Sequence, residues 1–302
     1  GQALGQGFEH GAGSLAVRGF RAAEYSPRPA TAPLCDTRAM TIVLIAAVLY
    51  VAAAALLWHS AAGDAGPRRG WIPLAALAVL FHVETHAEAW RLLQGPDMHF
   101  FAALSLVGLG MSALTTAFGA SGRMPALGIV VFPLAALSLF GYWSYGHADN
   151  ASDLGWRLQL HAWLALLAYA TLALSAVLAI FLWAQERALR RREFRGWLRA
   201  LPPLTELESL LFRSITVGFV LLTATLLTGL LFVDDLLSQH LVHKTVLSVL
   251  SWLAFGALLL GRWQRGWRGA TAVRWTLAAM ALLVLAFFGS KFVLELVLHR
   301  TG

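Results

Sequence analysis

Between Phe81 and Arg300 the chain carries His82, His86, His99, His147, His161, His240, His243 and His299. A neutral imidazole presents one ring nitrogen as a lone pair and the other as an N–H, so it can bind metal or hydrogen-bond inside a core. Two pairs have helical spacing. His82 and His86 stand four apart and share a helix face, with Glu84 and Glu88 close by, while His240 and His243 stand three apart. Either pair suits a metal ion or heme iron. Taken singly, each histidine also suits a structural role, bonding headgroups, water and loop carbonyls.

His161 opens the apolar run LQLHAWLALLAYATLALSAVLAIF, where an imidazole among leucines needs a partner for its ring nitrogen. His243, in HLVHKTVLSVLSW, is expected at the same depth on a later helix. Two imidazoles facing each other across a helix bundle can hold both axial positions of an octahedral iron. Zinc would more often recruit a thiolate, and the single cysteine, Cys35, precedes every apolar run and forms neither a CxxC pair nor a CxxCH heme attachment site. Lys291 and Glu295, four apart in GSKFVLELVLHR, form a second constellation. They read as an ion pair that locks a helix, as a snorkelling lysine, or as a cation set to neutralise an acidic ligand group such as a heme propionate. Asp234 and Asp235 would instead favour a cation. No nucleophile with its base, and no acid with its base, stands out, so the expectation is a protein that is not an enzyme.

The elements that must hold these residues follow from composition. Hydrophobic residues make up 58% of the chain and charged residues 13%, with a mean hydropathy of +0.66. No aqueous surface could cover that much apolar side chain, which predicts an all-α polytopic membrane bundle. Eight runs approach the roughly 20 residues needed to cross a bilayer: near 41–58, 71–90, 100–118, 125–143, 158–184, 213–233, 243–261 and 273–298. The second is the weakest, because FHVETHAEAW turns polar before its end. Arginines crowd alternate loops, at Arg68 and Arg69, at Arg123, through RALRRREFRGWLR, and at Arg262, Arg265 and Arg268. The positive-inside rule puts those loops in the cytoplasm, and both termini and the histidine-bearing loops outside. In a bacterium that is the periplasmic face of the inner membrane.

Residues 1–39, rich in Gly, Ala, Arg and Pro, are expected to be disordered, with Met40 a plausible natural start and 40–302 the membrane domain. In LPPLTELESLLF, Pro202 and Pro203 end one segment and Thr205 with Glu208 has capping-box spacing for the next. Gly108 and Gly110 in GLGMS favour close helix packing over ligand binding. Trp143, Trp156, Trp163 and Trp252 are expected at the outer boundary, and Trp263 and Trp267 at the inner one. The net charge of +7 sits in short blocks beside apolar runs, which points to lipid headgroups and away from nucleic acid.

Four segments, LQLHAWLALLAYA, LPPLTELESLLF, HKTVLSVLSWLAFGALLLGRWQRGWRG and RWTLAAMALLVLAFFGSKFVLEL, resemble in that order the YpjD and HemX type of bacterial inner-membrane protein, a branch of the CcsA-like cytochrome c assembly family. The resemblance covers about half the chain, Gln159 to Leu296, and the earlier spans agree in hydropathy and order. It implies noncovalent heme handling at the outer face, with His161 and His243 as axial ligands and Lys291 near the propionates. Partners implied are heme, the bilayer and other cytochrome c maturation proteins. His82, His86, His240 and Glu295 are secondary candidates. The chain departs from the pattern in lacking a WWD-like tryptophan-rich segment, since only LFVDDLLSQHLV precedes His243. The alternative expectations are a transporter or cation site built on Asp234, Asp235, His240, His243, Lys291 and Glu295, or an accessory subunit of a membrane complex.

Overall fold

Long runs of Leu, Ala, Val and Phe in lipid can satisfy their backbone groups only as helices or closed barrels. In the computed structural model they form helices. It describes residues 37–62, 69–122, 124–145, 155–192, 201–232 and 239–289. Helix α1 covers Thr37–Ala62, α2 Trp71–Leu93 and α3 Phe100–Ala120. A 3-10 turn at Pro125–Leu127 leads into α4, Gly128–Tyr145. Then come α5 Trp156–Arg191, α6 Leu204–Phe232, α7 Gln239–Arg265 and α8 Gly269–Val284, the last continuing into a π-helical turn at Leu285–Gly289. No strand occurs among the described residues.

Seven of these helices are long and apolar enough to cross a membrane. The exception is α2, whose 23 residues give about 34 Å of length. Its charges meet on its own surface: Arg91 bonds Glu84 at 2.8 Å and Glu88 at 2.9 Å, which offsets part of their cost near lipid.

Several expected boundaries move, α5 for one running on to Arg191. Helix α1 starts at Thr37, so the end of the expected disordered tail is helical; residues 1–36 lie outside the described part. Helix α6 starts at Leu204, well before residue 213, and the expected capping box does not form. The Pro203 carbonyl takes the amides of Glu206 and Leu207 at 2.9 and 3.0 Å, within the helix's first turn. Glu208 is drawn away instead. Its buried carboxylate takes Arg268 Nε at 2.8 Å and the Gly269 amide at 2.9 Å, with Arg262 at 4.0 Å. One side chain on α6 thereby fastens the end of α7 to the start of α8. Trp252 also departs from expectation, because it sits midway along α7, stacked on Phe219 and donating its indole N–H to Thr223 at 2.9 Å. A half-buried indole needs such an acceptor.

The helices pack as two rings of four. In the first, α1 lies against α2 and α4, and α3 closes the circuit against both. In the second, α5 lies against α6 and α8, and α7 closes it. The sequence shows no internal repeat, yet the same adjacency recurs. The rings meet along α3 and α5, where Gly110 faces Ala170 so closely that a Cβ on the glycine would lie 2.7 Å from the alanine methyl. Neither partner has a side chain that can swing aside. Gly110→Ala is therefore expected to force α3 and α5 apart, at about 1–3 kcal/mol, read as a lower thermal midpoint of the detergent-solubilised protein.

Candidate functional site

The first ring encloses a connected set of polar side chains. Tyr50 of α1 is fully buried beneath Phe132, and its hydroxyl meets Ser112 Oγ of α3 at 2.8 Å and His82 Nδ1 of α2 at 3.2 Å. His82 Nε2 meets Ser105 Oγ at 2.9 Å, and the same hydroxyl meets His86 Nε2 at 3.0 Å. The four-residue spacing of His82 and His86 sets their rings 5.6 Å apart on one face of α2, and Ser105 and Ser112, two turns apart on α3, stand opposite. Both ring nitrogens of His82 are engaged, which leaves it no lone pair for a metal. No cluster of three or more metal-ligating side chains occurs among the described residues.

The polarity of this chain can be read from its end. Ser112 Oγ donates to the Leu109 carbonyl at 2.9 Å. Its lone pair then accepts from Tyr50, Tyr50 accepts from His82 Nδ1–H, and His82 Nε2 accepts from Ser105. Ser105 in turn accepts from His86 Nε2–H. Every link has one donor and one acceptor.

Beyond His86 the contacts are aromatic. His86 stacks on Tyr142 of α4 with ring centroids 4.7 Å apart, and the Tyr142 hydroxyl donates to Asp97 Oδ2 at 3.2 Å. Asp97 Oδ1 bonds His99 Nδ1 and takes the His99 amide at 3.3 Å. Burial pushes the Asp97 carboxyl up, but the hydrogen bonds and charge of His99, with the Tyr142 hydroxyl, outweigh it and hold the group below the usual carboxylate range.

In the second ring His161 lies in the second turn of α5, with Nδ1 3.2 Å from Thr228 Oγ1 of α6. The single Thr228 proton is already directed at the Ala224 and Thr225 carbonyls, at 2.9 and 3.0 Å. Donation from His161 Nδ1–H to Thr228 Oγ1 completes this arrangement and leaves the ring's lone pair on Nε2. Next to Thr228, Gly229 leaves space for the ring, since a Cβ there would come within 3.1 Å of His161 Cε1. One turn before His161, the Arg157 guanidinium lies 5.6 and 5.9 Å from the ring centroids of Trp156 and Phe232, which joins the start of α5 to the end of α6. An imidazole oriented through Nδ1–H, with Nε2 bare, flanked by exposed aromatic surface and a cation, fits a heme iron ligand.

His240 and His243 fall in the first turns of α7, diagonally across the second ring from α5 and at the same end as His161. Their side chains lie outside the described ones. Lys291, Glu295, Asp234, Asp235, His147 and His299 lie outside the described residues altogether. The sequence reading missed Tyr50, Ser105, Ser112, Tyr142, Asp97 and Thr228. Lone hydroxyls inside apolar runs were the available signal, because each needs a partner on a neighbouring helix. Asp97, with its depressed carboxyl, stabilises the fold above about pH 4, and that contribution is lost as pH falls through the lower folded value. The gap in thermal midpoint between the native chain and Asp97→Asn should thus be full near neutral pH and shrink below about pH 4.

The family described as Cytochrome C assembly protein matches residues 71–298. The chain is 30% identical over 264 residues to the Inner membrane protein YpjD of Escherichia coli K12, spanning 84% of this chain and 98% of that protein. It is 22% identical over 299 residues to the Cytochrome c biogenesis protein CcsA of Prochlorococcus marinus NATL1A, spanning 87% and 94% of the two chains. Protein HemX of Brevibacillus brevis is 27% identical over 134 residues, spanning 44% of this chain and 49% of its own. No solved structure matches. With its apolar helices and this coverage, the chain belongs to the cytochrome c assembly protein family and is a multi-pass protein of the bacterial inner membrane.

Proposed function

We propose that this protein binds heme noncovalently at the periplasmic face and handles it during cytochrome c biogenesis, as a carrier or chaperone and not as a catalyst. The observation that carries the reading is the 3.2 Å contact between His161 Nδ1 and Thr228 Oγ1: with Nδ1–H donating there, Nε2 is left as a lone-pair donor. His243, on the diagonal helix at the same end, would be the second residue to hold the heme iron. Arg157, one turn from His161, supplies a cation for a propionate, and Lys291 is the second candidate for that role. The positive-inside rule orients this end toward the periplasm. Membership of the cytochrome c assembly family and likeness to a protein named for cytochrome c biogenesis support the assignment.

Bound heme would supply a redox-active iron; the protein's own part would be to orient and shield it. Thr228 orients the His161 imidazole through Nδ1, and Trp156 with Phe232 offers flat apolar area. Partners would be other maturation proteins of the same membrane.

The full chain in detergent, given hemin, is expected to show low-spin Soret and alpha bands in its reduced-minus-oxidised spectrum. His161→Ala and His243→Ala should each lose that signature. Thr228→Val keeps the ligand but removes its orienting acceptor, and is expected to weaken heme affinity by about 10–100-fold. A native protein without these bands, or a spectrum indifferent to His161→Ala, would sink the heme reading.

A further inference from the structure

We propose that the side chains His86, Ser105, His82, Tyr50 and Ser112 form a reversible proton relay through the first helix ring. Each member offers both a donor and an acceptor, and the four links measure 3.0, 2.9, 3.2 and 2.8 Å in that order. The polarity derived above is one of two that the same atoms allow. In the other, Ser112 donates to Tyr50, Tyr50 to His82 Nδ1, His82 Nε2–H to Ser105, and Ser105 to His86 Nε2.

Passage of one proton converts the first arrangement into the second. A proton binds His86 Nδ1, and the Nε2 proton of His86 moves to Ser105. The original Ser105 proton moves to His82 Nε2, and the Nδ1 proton of His82 moves to Tyr50. The original Tyr50 proton moves to Ser112, which releases its own. One proton enters and one leaves, every residue ends neutral, and no redox partner is needed. Rotation of the hydroxyls and return of the two imidazole tautomers restore the starting state.

The placement suits this traffic. Ser105 lies about 8 Å and Ser112 about 18 Å along α3 from its first residue, so the chain covers the middle of the bundle. Three helices contribute, and Ser105, His82, Tyr50 and Ser112 are each fully buried. One turn further along the same face of α3, Thr115 is also fully buried, and its hydroxyl has no hydrogen-bond partner among the described residues. An orphan hydroxyl there marks where an ordered water would take the proton released by Ser112. At the other end His86 is half-buried and lies against Tyr142, with Asp97 and His99 beyond it. The titratable groups facing the relay are Tyr50 from α1, Tyr142 from α4, and Asp97 and His99 from the turn before α3; those of α3 are hydroxyls alone. Glu84, Glu88 and Arg91 pair with one another on α2.

The competing reading is a static brace that holds α1, α2 and α3 in register, and the two differ in the tautomer of His82. The test is the ring-nitrogen NMR spectrum of the full chain, labelled with nitrogen-15 histidine, in lipid nanodiscs between neutral and mildly acid pH. A relay predicts that His82 exchanges between its Nδ1–H and Nε2–H tautomers, with populations that move with pH. Ser105→Ala, which cuts the chain at its centre, and Tyr50→Phe, which keeps the ring and removes one link, should both abolish that response. A native His82 frozen as Nδ1–H across the pH series overturns the relay, and this reading needs no variant to fold. Exchange that survives Ser105→Ala in a folded chain overturns it equally.

Discussion

A hydroxyl or an imidazole inside a lipid-solvated bundle has no water to fall back on, so its partner must come from a neighbouring helix. Where such partners meet, they set which helices touch and at what register. Ser105 is bonded by two histidines of α2, and Ser112 and His82 both reach Tyr50 of α1. Three helices are thereby held in one arrangement. Dispersion between leucines alone would leave them freer to slide, since lipid tails compete equally for those contacts.

The same constraint operates differently in the two rings. In the first, polar groups face inward and satisfy one another along a continuous chain. In the second they occur in separate small sets. Ser175 and Ser214 bond across α5 and α6 at 2.8 Å, Ser251 donates to the Ala279 carbonyl, and His161 leans on Thr228. Tyr169 donates to the Leu283 carbonyl just before the π-helical turn of α8, so a hydroxyl from α5 enters the ladder where the helix changes its winding. Of these sets among the described residues, the His161 one leaves a ring nitrogen, Nε2, outside the bonded contacts.

Much of the fold was legible in the sequence because lipid makes hydropathy decisive. Run lengths located each of the eight described α-helices, and Gly108 with Gly110 correctly read as packing residues. The errors came where local signals compete with tertiary ones. Thr205 and Glu208 have the spacing of a capping box, but Glu208 is bound to Arg268 and the Gly269 amide sixty residues away, and sequence spacing says nothing about that distance. His82 and His86 read equally as ligands or core groups, and only Tyr50 and Ser105 decide between those roles for His82. Both come from other helices. Trp252 looked like a boundary residue because tryptophan frequents boundaries, while its acceptor, Thr223, lies on α6.

Glu208 also knots one end of the second ring. At the arginine-rich end its carboxylate ties the start of α6 to the last turn of α7 and the first of α8. Helix α7 runs 27 residues from that knot, about 40 Å. Ser251 and Trp252 tie α7 a second time at its middle, to α8 and α6, so the turn bearing His243 lies about 12 Å past the waist of the helix. A helix tied at its end and at its waist has to move as one piece with α6 and α8, so the knot at Glu208 and the turn bearing His243 are mechanically one body.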